Sequence, residues 1–310
     1  MSDKRKAKGT KIDGWLALDK PVGLTSTQAL NRVKKVLHPK KVGHGGTLDP
    51  LASGLLPIAM GEATKTVAYT MEGTKTYRFT VRWGQATDTD DADGTVTEET
   101  DARPDEQAIR DTLPAFTGII EQVPPAYSAI KVDGQRAYDI ARDGGQPELA
   151  AREARIDSLV LEQVDDRDHA TLTCTCGKGT YIRALARDIA RALGTYGHLS
   201  ALRRTRVGGF REDHMISLES LEALGHSPGA FEYLLPVETA LDDIPALALS
   251  EAEANRLRSG QSVSLLQRSH LERLRDLENG DVVFTKTGDR PVALARFETG
   301  ELRPVRVLNL

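Results

Sequence analysis

The sequence predicts an α+β protein, because strand and helix patterns are mixed along the chain without the regular strand–helix repeat of a doubly wound parallel sheet. The clearest strand is 77–83, where aromatic side chains and Val81 alternate with polar ones. The clearest helix begins at Ile182, because its apolar residues recur every three or four positions up to Gly194, a typical glycine cap. Beyond Pro245 short strands predominate. They predict a small β-rich second domain.

Earlier elements follow from local signals. Residues 15–18 are apolar and predict a short buried strand. Thr25 and Gln28 are spaced as a capping box, which predicts a helix running through Leu37 and ending at His38-Pro39. The tail predicts one helix and then three strands, at Ser250–Arg258, Val282–Phe284, Val292–Phe297 and Val305–Leu308.

Composition narrows the class of protein. The chain has 310 residues, of which 39% are hydrophobic, and a net charge of −4. No stretch approaches the roughly 18 to 20 apolar residues of a membrane span, and the N-terminus lacks a secretory apolar region. We therefore expect a cytoplasmic protein that does not enter a membrane. Residues 1–11 predict a disordered basic arm, 12–245 a large domain and 246–310 the smaller domain.

Charge and cysteine placement add two predictions. Cys174 and Cys176 alternate with polar residues as in a strand, so both sulfurs are predicted to be reduced and buried rather than zinc ligands. Acidic residues concentrate in 88–106. Basic residues cluster at Lys4–Lys11, Arg32–Lys41, Arg183/Arg187/Arg191 and Arg203–Arg211. These clusters form either a face that contacts phosphate groups or ordinary solvated surface.

The segment 43–57 contains a single carboxylate, Asp49, in a run without other charged groups except His44. Its glycines permit tight turns or close approach to a ligand, and Pro50 favours an extended residue before it. One interpretation is that the loop presents Asp49 for chemistry. The other is that Asp49 is an N-cap, Pro50 the first residue of a helix, and the following leucines a buried face.

Two nucleotide-binding motifs are excluded. The glycines at 43–46 do not continue as a dinucleotide fingerprint, and no phosphate-binding loop is present. The acidic segment 88–94 is not a calcium loop either, because aligning Gly94 with the loop glycine puts Thr89 and Thr100 at ligand positions. We assign this segment no chemical role, and a solvated turn is its plain alternative.

The loop 43–57 resembles the catalytic loop of the TruB family of tRNA pseudouridine synthases. The resemblance continues in the same order through seven further segments that span most of the first 210 residues: Leu18–Pro21, Gly61–Lys65, Lys75–Tyr77, Asp88–Gly94, Pro124–Lys131, Lys178–Arg183 and Leu202–Arg204.

The resemblance implies a mixed, largely antiparallel sheet with flanking helices and a central cleft, and a PUA-like RNA-binding domain at 246–310. It implies isomerisation of uridine 55 in the T-arm of tRNA, with the uridine flipped out of the stack. It further implies no metal, no cofactor and no obligatory protein partner. We expect a monomer.

Site residues follow from the same resemblance. Asp49 corresponds to the catalytic aspartate, whose attack on the base, attack on C1′ or action as a base leading to a glycal stay open. Arg183 corresponds to its arginine partner. Among the other substrate-binding residues, Tyr77 corresponds to the aromatic residue that stacks on the flipped base, and Tyr181 to a second aromatic residue of the pocket. His44 corresponds to the histidine that fills the space left by the flipped nucleotide. Lys20 and Leu202 lie in the matching motifs.

Two other functions stay open. The same cleft and basic face would suit a non-catalytic tRNA-binding chaperone, although the intact Gly-His-Gly-Gly-Thr-Leu-Asp-Pro block argues against loss of chemistry. A synthase directed by a guide RNA is the second alternative, and it would need additional proteins.

Overall fold

The computed structural model describes residues 9–128, 130–132, 134–265 and 277–310. The strands are β1 (Gly14–Lys20), β2 (Val42–His44), β3 (Ser53–Met60), β4 (Lys75–Trp83), β5 (Gln85–Thr87), β6 (Val96–Glu99), β7 (Gly118–Gln122), β8 (Lys131–Val132), β9 (Gln135–Arg136), β10 (Arg152–Val164), β11 (His169–Cys176), β12 (Gly197–Val207), β13 (Met215–Ser217), β14 (Leu234–Leu235), β15 (Ala246–Ala248), β16 (Val263–Ser264), β17 (Val282–Thr287), β18 (Arg290–Glu298) and β19 (Glu301–Val307).

The helices lie between these strands. The α-helices are α1 (Ser26–Leu37), α2 (Val67–Glu72), α3 (Glu106–Thr112), α4 (Ala137–Arg142), α5 (Ile182–Ala192), α6 (Leu218–Leu224), α7 (Pro228–Phe231) and α8 (Glu251–Arg258). Short 3-10 helices occupy Gly61–Lys65, Leu113–Phe116, Glu212–His214 and Val237–Leu241.

A large mixed sheet forms the centre of the molecule. Its strand order is β13-β1-β3-β12-β4-β11-β10-β7, with β14 paired to β1 and β2 paired to β3. The β1–β13 and β3–β12 pairs are parallel, and the other pairs of this sheet are antiparallel. The prediction of an α+β fold with a largely antiparallel sheet is confirmed.

The sheet is covered on both faces at β1, whose successive side chains point to opposite faces and are buried on each, whereas β10 has one exposed face. On β1, Leu16 and Leu18 join the cluster that includes the buried faces of α1 and α5. Trp15 and Ala17 join a second cluster, which includes Leu55 and Phe210. All these side chains are buried.

Local sequence signals place the helix boundaries correctly. Thr25 and Gln28 form the predicted capping box, and His38 ends α1 in the left-handed conformation with φ 50°. Gly194, with φ 70°, follows α5 as expected of a glycine cap. Cys174 and Cys176 are free and buried on β11, as predicted.

The helix-start interpretation of Asp49 is wrong. Residues 47–52, including Leu51, form a loop, and Leu55 and Leu56 lie in β3 instead of a helix. The physical reason is that β3 is sandwiched between β1 and β12 and buries both its faces, with Leu55 and Leu56 in different clusters. A strand buried on both faces has a continuous apolar sequence, which local spacing cannot distinguish from a helix.

The C-terminal part folds as a five-stranded sheet of order β15-β17-β18-β19-β16, with α8 packed against it. Phe284, Leu294 and Leu308 of this part belong to the same cluster as Trp15. Its last residues also bind the first part: the Lys65 ammonium donates to the Val307 carbonyl at 2.8 Å. The division at 245 stays a prediction, as does the RNA-binding role of 246–310.

The predicted basic arm lies largely outside the described residues, since the description begins at Gly9. Within its described part, the Thr10 amide donates to the His38 carbonyl at 2.6 Å. Among the described helices, none has both the length and the apolar character required to cross a bilayer.

Candidate active site

The loop that carries Asp49 connects β2 to β3 and is held by hydrogen bonds on both sides of the aspartate. The Ser26 hydroxyl, at the start of α1, donates to the Leu48 carbonyl at 3.0 Å and accepts from the Leu48 amide at 2.8 Å. The Gly23 amide donates to the Pro50 carbonyl at 2.8 Å. The backbone next to Asp49 is thereby fixed, while the carboxylate itself stays 43% exposed.

Asp49 faces Arg183, the second residue of α5. Arg183 Nη2 lies 3.0 Å from Asp49 Oδ2, and the arginine side chain is only 8% exposed. A nearly buried guanidinium therefore holds one oxygen of a carboxylate that is open to solvent. Such an arrangement orients the carboxylate and leaves its outer edge accessible to a ligand.

Arg183 is held by three further groups from distant parts of the chain. It donates to the carbonyl of Thr89 at 3.1 Å and to the carbonyl of Tyr127 at 2.9 Å. Its Nη1 also lies 3.5 Å from Asp91 Oδ2. The guanidinium thus bridges two carboxylates, Asp49 in the cleft and Asp91 behind it, which prevents it from rotating away from Asp49.

The acidic segment 88–94 is only partly a solvated turn, because Asp88 and Asp93 are exposed but Asp91 is not. Asp91 is buried, accepts a hydrogen bond from the Thr89 hydroxyl at 2.6 Å, and accepts another from the Asp93 amide at 3.1 Å. Burial raises the pKa of Asp91, and its hydrogen bond from Thr89 and the Arg183 charge oppose the rise. The segment therefore supplies the rear counter-charge of the Asp49–Arg183 pair.

The same segment also occupies the second arginine of α5. Asp90, which has φ 59°, lies 2.7 Å from Arg187, and Arg187 also pairs with Asp188. Of the three arginines Arg183, Arg187 and Arg191, only Arg191 is exposed. The three arginines of α5 share one side of the helix as predicted, but two of them are neutralised by carboxylates and do not form an open basic track.

Lys20, the last residue of β1, is completely buried. Its ammonium donates to the carbonyl of Pro21 at 2.9 Å and to that of Leu24 at 2.7 Å. Burial lowers the pKa of Lys20 to about 8, Asp49 opposes this change, and the Arg204 charge adds to it. Lys20 therefore lies near enough to Asp49 to interact with it electrostatically.

Tyr77 and Leu202 lie on the two central strands of the sheet. In the β4–β12 register, Tyr77 is opposite Arg204 and Phe79 is opposite Leu202, so these side chains share a face. Tyr77 is half-buried, and burial raises its pKa, while Arg204 opposes the rise through its charge and a hydrogen bond. The phenol experiences the charge of Asp49 as well.

Tyr181 and His44 border the same region. Tyr181 precedes α5, and the Gln122 side chain bonds to its backbone in both directions: its oxygen accepts from the Tyr181 amide at 2.8 Å, and its amide donates to the Tyr181 carbonyl at 3.1 Å. Burial raises the pKa of Tyr181, and both Arg183 and Asp49 lie close enough to act on it. His44 ends β2, where burial and then the charge of Arg204 lower its pKa.

Arg183 contacts Asp49 directly, and the charge of Asp49 reaches Lys20, Tyr77 and Tyr181. His44 and Leu202 are connected to this group through Arg204, by its charge and by the strand face that it shares with Leu202. The sequence did not indicate the part played by Arg204 or Asp91. Both fall within segments of the resemblance, but Arg204 was not assigned a role and Asp91 was left without one. Strand alternation from Leu202 was the one available signal for Arg204, because it puts both side chains on the same face. In the described part of the chain, no cluster of three or more metal-binding side chains occurs.

Comparison with known proteins identifies the family of this chain. Residues 34–182 match the model of the TruB family pseudouridylate synthase N-terminal domain, and residues 183–242 match that of the tRNA pseudouridylate synthase B C-terminal domain. A protein named tRNA pseudouridine synthase B from Caulobacter vibrioides is 53% identical over 307 residues, covering 99% of each chain. The chain belongs to the TruB family. A relative of the same name from Bradyrhizobium diazoefficiens is 55% identical, covering 96% of this chain and 86% of the relative.

The TruB fold is also found among solved structures. A chain of the "Crystal Structure of a Cbf5-Nop10-Gar1 Complex" superposes with a TM-score of 0.74 at 26% identity, covering 96% of this chain and 85% of that chain. As a member of the TruB family, the chain is a pseudouridine synthase. The geometry described above shows a fixed, accessible carboxylate with aromatic residues beside it, which suits covalent or proton-transfer chemistry on a flipped base.

Proposed function

We propose that this TruB family member isomerises uridine 55 in the T-arm of tRNA to pseudouridine, with Asp49 as its catalytic carboxylate. The observation that carries the proposal is the Asp49–Arg183 pair: an accessible carboxylate, 3.0 Å from a guanidinium that is itself held from behind. The names of the relatives, tRNA pseudouridine synthase B, support tRNA as the substrate.

The reaction needs only what this cleft provides. The N1–C1′ bond of the uridine breaks, the detached uracil rotates, and a C5–C1′ bond forms. The C5 proton leaves, and N1 acquires a proton, so the change is redox-neutral. A carboxylate must attack the nucleotide or abstract a proton, and aromatic walls must retain the free base while it rotates.

The remaining roles follow from position. Tyr77 and Tyr181 would stack against the flipped uracil, and Tyr77 would assist removal of the C5 proton. Arg183 would orient Asp49 before and after bond cleavage. His44, on the rim, would occupy the space left by the flipped uridine, while Lys20 and Leu202 would complete the pocket from the ends of their strands. Base flipping costs unstacking energy, which these contacts would offset.

The direct test is release of tritium from C5-labelled uridine in tRNA transcripts by the purified chain alone. Wild-type protein should release tritium from an intact transcript but not from one with a mutated T-loop. Asp49→Asn should abolish release and leave tRNA affinity nearly unchanged, because the amide keeps the side chain's size but is neither nucleophile nor base. A tenfold difference in rate corresponds to about 1.4 kcal/mol of activation free energy. Release by this variant at a rate within about tenfold of wild type would refute the catalytic assignment.

The same assay separates the alternatives. A non-catalytic tRNA chaperone would bind the transcript but release no tritium even as wild type. A guide-dependent synthase would release tritium only after a guide RNA and its proteins were added. The stand-alone mode is favoured because the protein from Caulobacter vibrioides matches the whole chain at 53% identity, against 26% for the chain from the Cbf5 complex.

A further inference from the structure

Arg204, on β12, is a nearly buried cation in the centre of the large sheet, with 1% of its surface exposed. Its Nε donates to the Leu55 carbonyl at 2.8 Å, and its Nη2 donates to the Gly46 carbonyl at 3.1 Å. Its Nη1 lies 3.5 Å from the Thr47 carbonyl oxygen. One guanidinium therefore connects both ends of the loop that contains Asp49.

This contact set depends on the register of the central strands. Arg204 is paired with Gly54 on the parallel strand β3 and with Tyr77 on the antiparallel strand β4. At Gly54, with φ 92°, an added Cβ would lie 2.3 Å from the Arg204 carbonyl oxygen. Glycine thus lets β3 approach Arg204 closely, and this approach sets the distance between its guanidinium and the loop.

The ion pairs found among residues 9–128, 130–132, 134–265 and 277–310 do not include Arg204. Its neighbour Arg203, by contrast, pairs with Asp19 and Glu212. A buried cation whose hydrogen bonds go to backbone carbonyls is costly unless its geometry is needed, since buried charges are commonly paired with opposite charges. The planar fork of donors suits several carbonyls at fixed angles, which a lysine cannot reproduce.

We infer that Arg204 is a positioning residue for isomerisation: its guanidinium fixes the Gly46 and Thr47 backbone against Leu55 and thereby sets Asp49 relative to Tyr77. The inference rests on the proposed function and adds to it a residue with no assigned role. Arg204 does not contact the reacting atoms in this arrangement. It acts on the loop through backbone carbonyls, and its charge acts on Tyr77, its cross-strand neighbour on β4.

The test compares Arg204→Gln and Arg204→Lys with Arg78→Gln. Arg78 lies on β4, points to the opposite face from Tyr77, and pairs with the exposed residue Glu162. We expect both Arg204 variants to lower the single-turnover rate at saturating enzyme about 100-fold, since misplacing a catalytic group by about 1 Å costs that much. Their affinity for tRNA should change less than about threefold, because phosphate contacts are unaffected. Arg78→Gln should retain the wild-type rate.

A second readout does not require activity. The titration of His44, followed by NMR of selectively labelled histidine, should shift to higher pH in Arg204→Gln and stay low in Arg204→Lys, because only the glutamine variant loses the charge. This titration reports the Arg204 charge beside His44, whereas the split between rate and affinity excludes a purely structural role, because a disturbed fold would lower both together. The titration also distinguishes failure of the proposed function from failure of the Arg204 inference. If the wild-type protein releases no tritium, the proposed function is refuted, but the His44 titration still reports whether the Arg204 charge lies beside His44.

Three outcomes would overturn the inference. The first is a rate within about threefold of wild type for both variants, which corresponds to a loss of less than about 1 kcal/mol of transition-state stabilisation. The second is a loss of tRNA affinity equal to the loss of rate. The third is failure of both Arg204 variants to fold while Arg78→Gln folds. The last would make Arg204 a core residue only.

Discussion

Replacing Lys20 with methionine tests whether burial of the Lys20 ammonium lowers the free energy of unfolding. Lys20 is completely buried, and burial lowers its pKa from 10.5 to about 8. Between those values the unfolded chain holds a proton that the folded chain has lost. The free energy of unfolding therefore rises with pH across this interval, and the rise ends as pH passes the unfolded pKa.

The size of the effect follows from the two pKa values. A full shift of this kind corresponds to about 3 kcal/mol, at 1.36 kcal/mol per unit. Between about pH 7 and pH 9.5, the populations of the two protonation states give an increase of about 2 kcal/mol in the free energy of unfolding. Lys20→Met cannot titrate and lacks this contribution, although it also loses hydrogen bonds to Pro21 and Leu24 at every pH.

The assay is urea unfolding followed by the fluorescence of the two buried tryptophans, Trp15 and Trp83, at several pH values. The quantity to plot is the stability of wild type minus that of Lys20→Met, which should rise by about 2 kcal/mol as pH increases to about 9.5. Lys40→Met, at an exposed lysine, is the matched control and should give a flat difference. A flat or falling difference for Lys20→Met would refute the reasoning.

Two further predictions concern the close approach of β3 and the arginines of α5. Gly54→Ala should destabilise the fold by about 1 to 3 kcal/mol more than Gly118→Ala in urea unfolding, because both have positive φ but only Gly54 would bring a Cβ against another backbone. Equal losses at the two glycines would show that this contact relaxes freely. Arg183→Ala should lower the single-turnover rate more than Arg187→Ala or Arg191→Ala, because only Arg183 contacts Asp49. Equal rates for the three variants would remove Arg183 from the site.

Local patterns predicted the parts of the fold that local chemistry determines. The Thr25–Gln28 capping box and the apolar spacing after Ile182 involve neighbours in sequence, and both helices formed where expected. The segment after Asp49 was ambiguous because its apolar run suits a helix or a strand buried on both faces. Only the pairing of β3 with β1 and β12, which are distant in sequence, decides between them.

The site shows the same limit. Asp49 and Arg183 could be assigned by resemblance, but the contact of Arg183 with Asp91 depends on how a distant loop folds over α5. Arg204 was missed for a related reason. Its bonds to Leu55 and to Gly46 of the neighbouring loop depend on the pairing of β12 with β3, which no spacing in the sequence records.

The cluster that joins the two parts of the chain has a consequence for biosynthesis. Trp15 leaves the ribosome long before Leu308, which belongs to the same cluster. That cluster cannot be completed until Leu308 has been synthesised, and its closure joins residues that are far apart in the sequence. The cluster therefore stays incomplete during most of this synthesis, and a premature stop just before Leu308 would leave a nascent product with an incompletely covered apolar cluster, a target for chaperones and proteases.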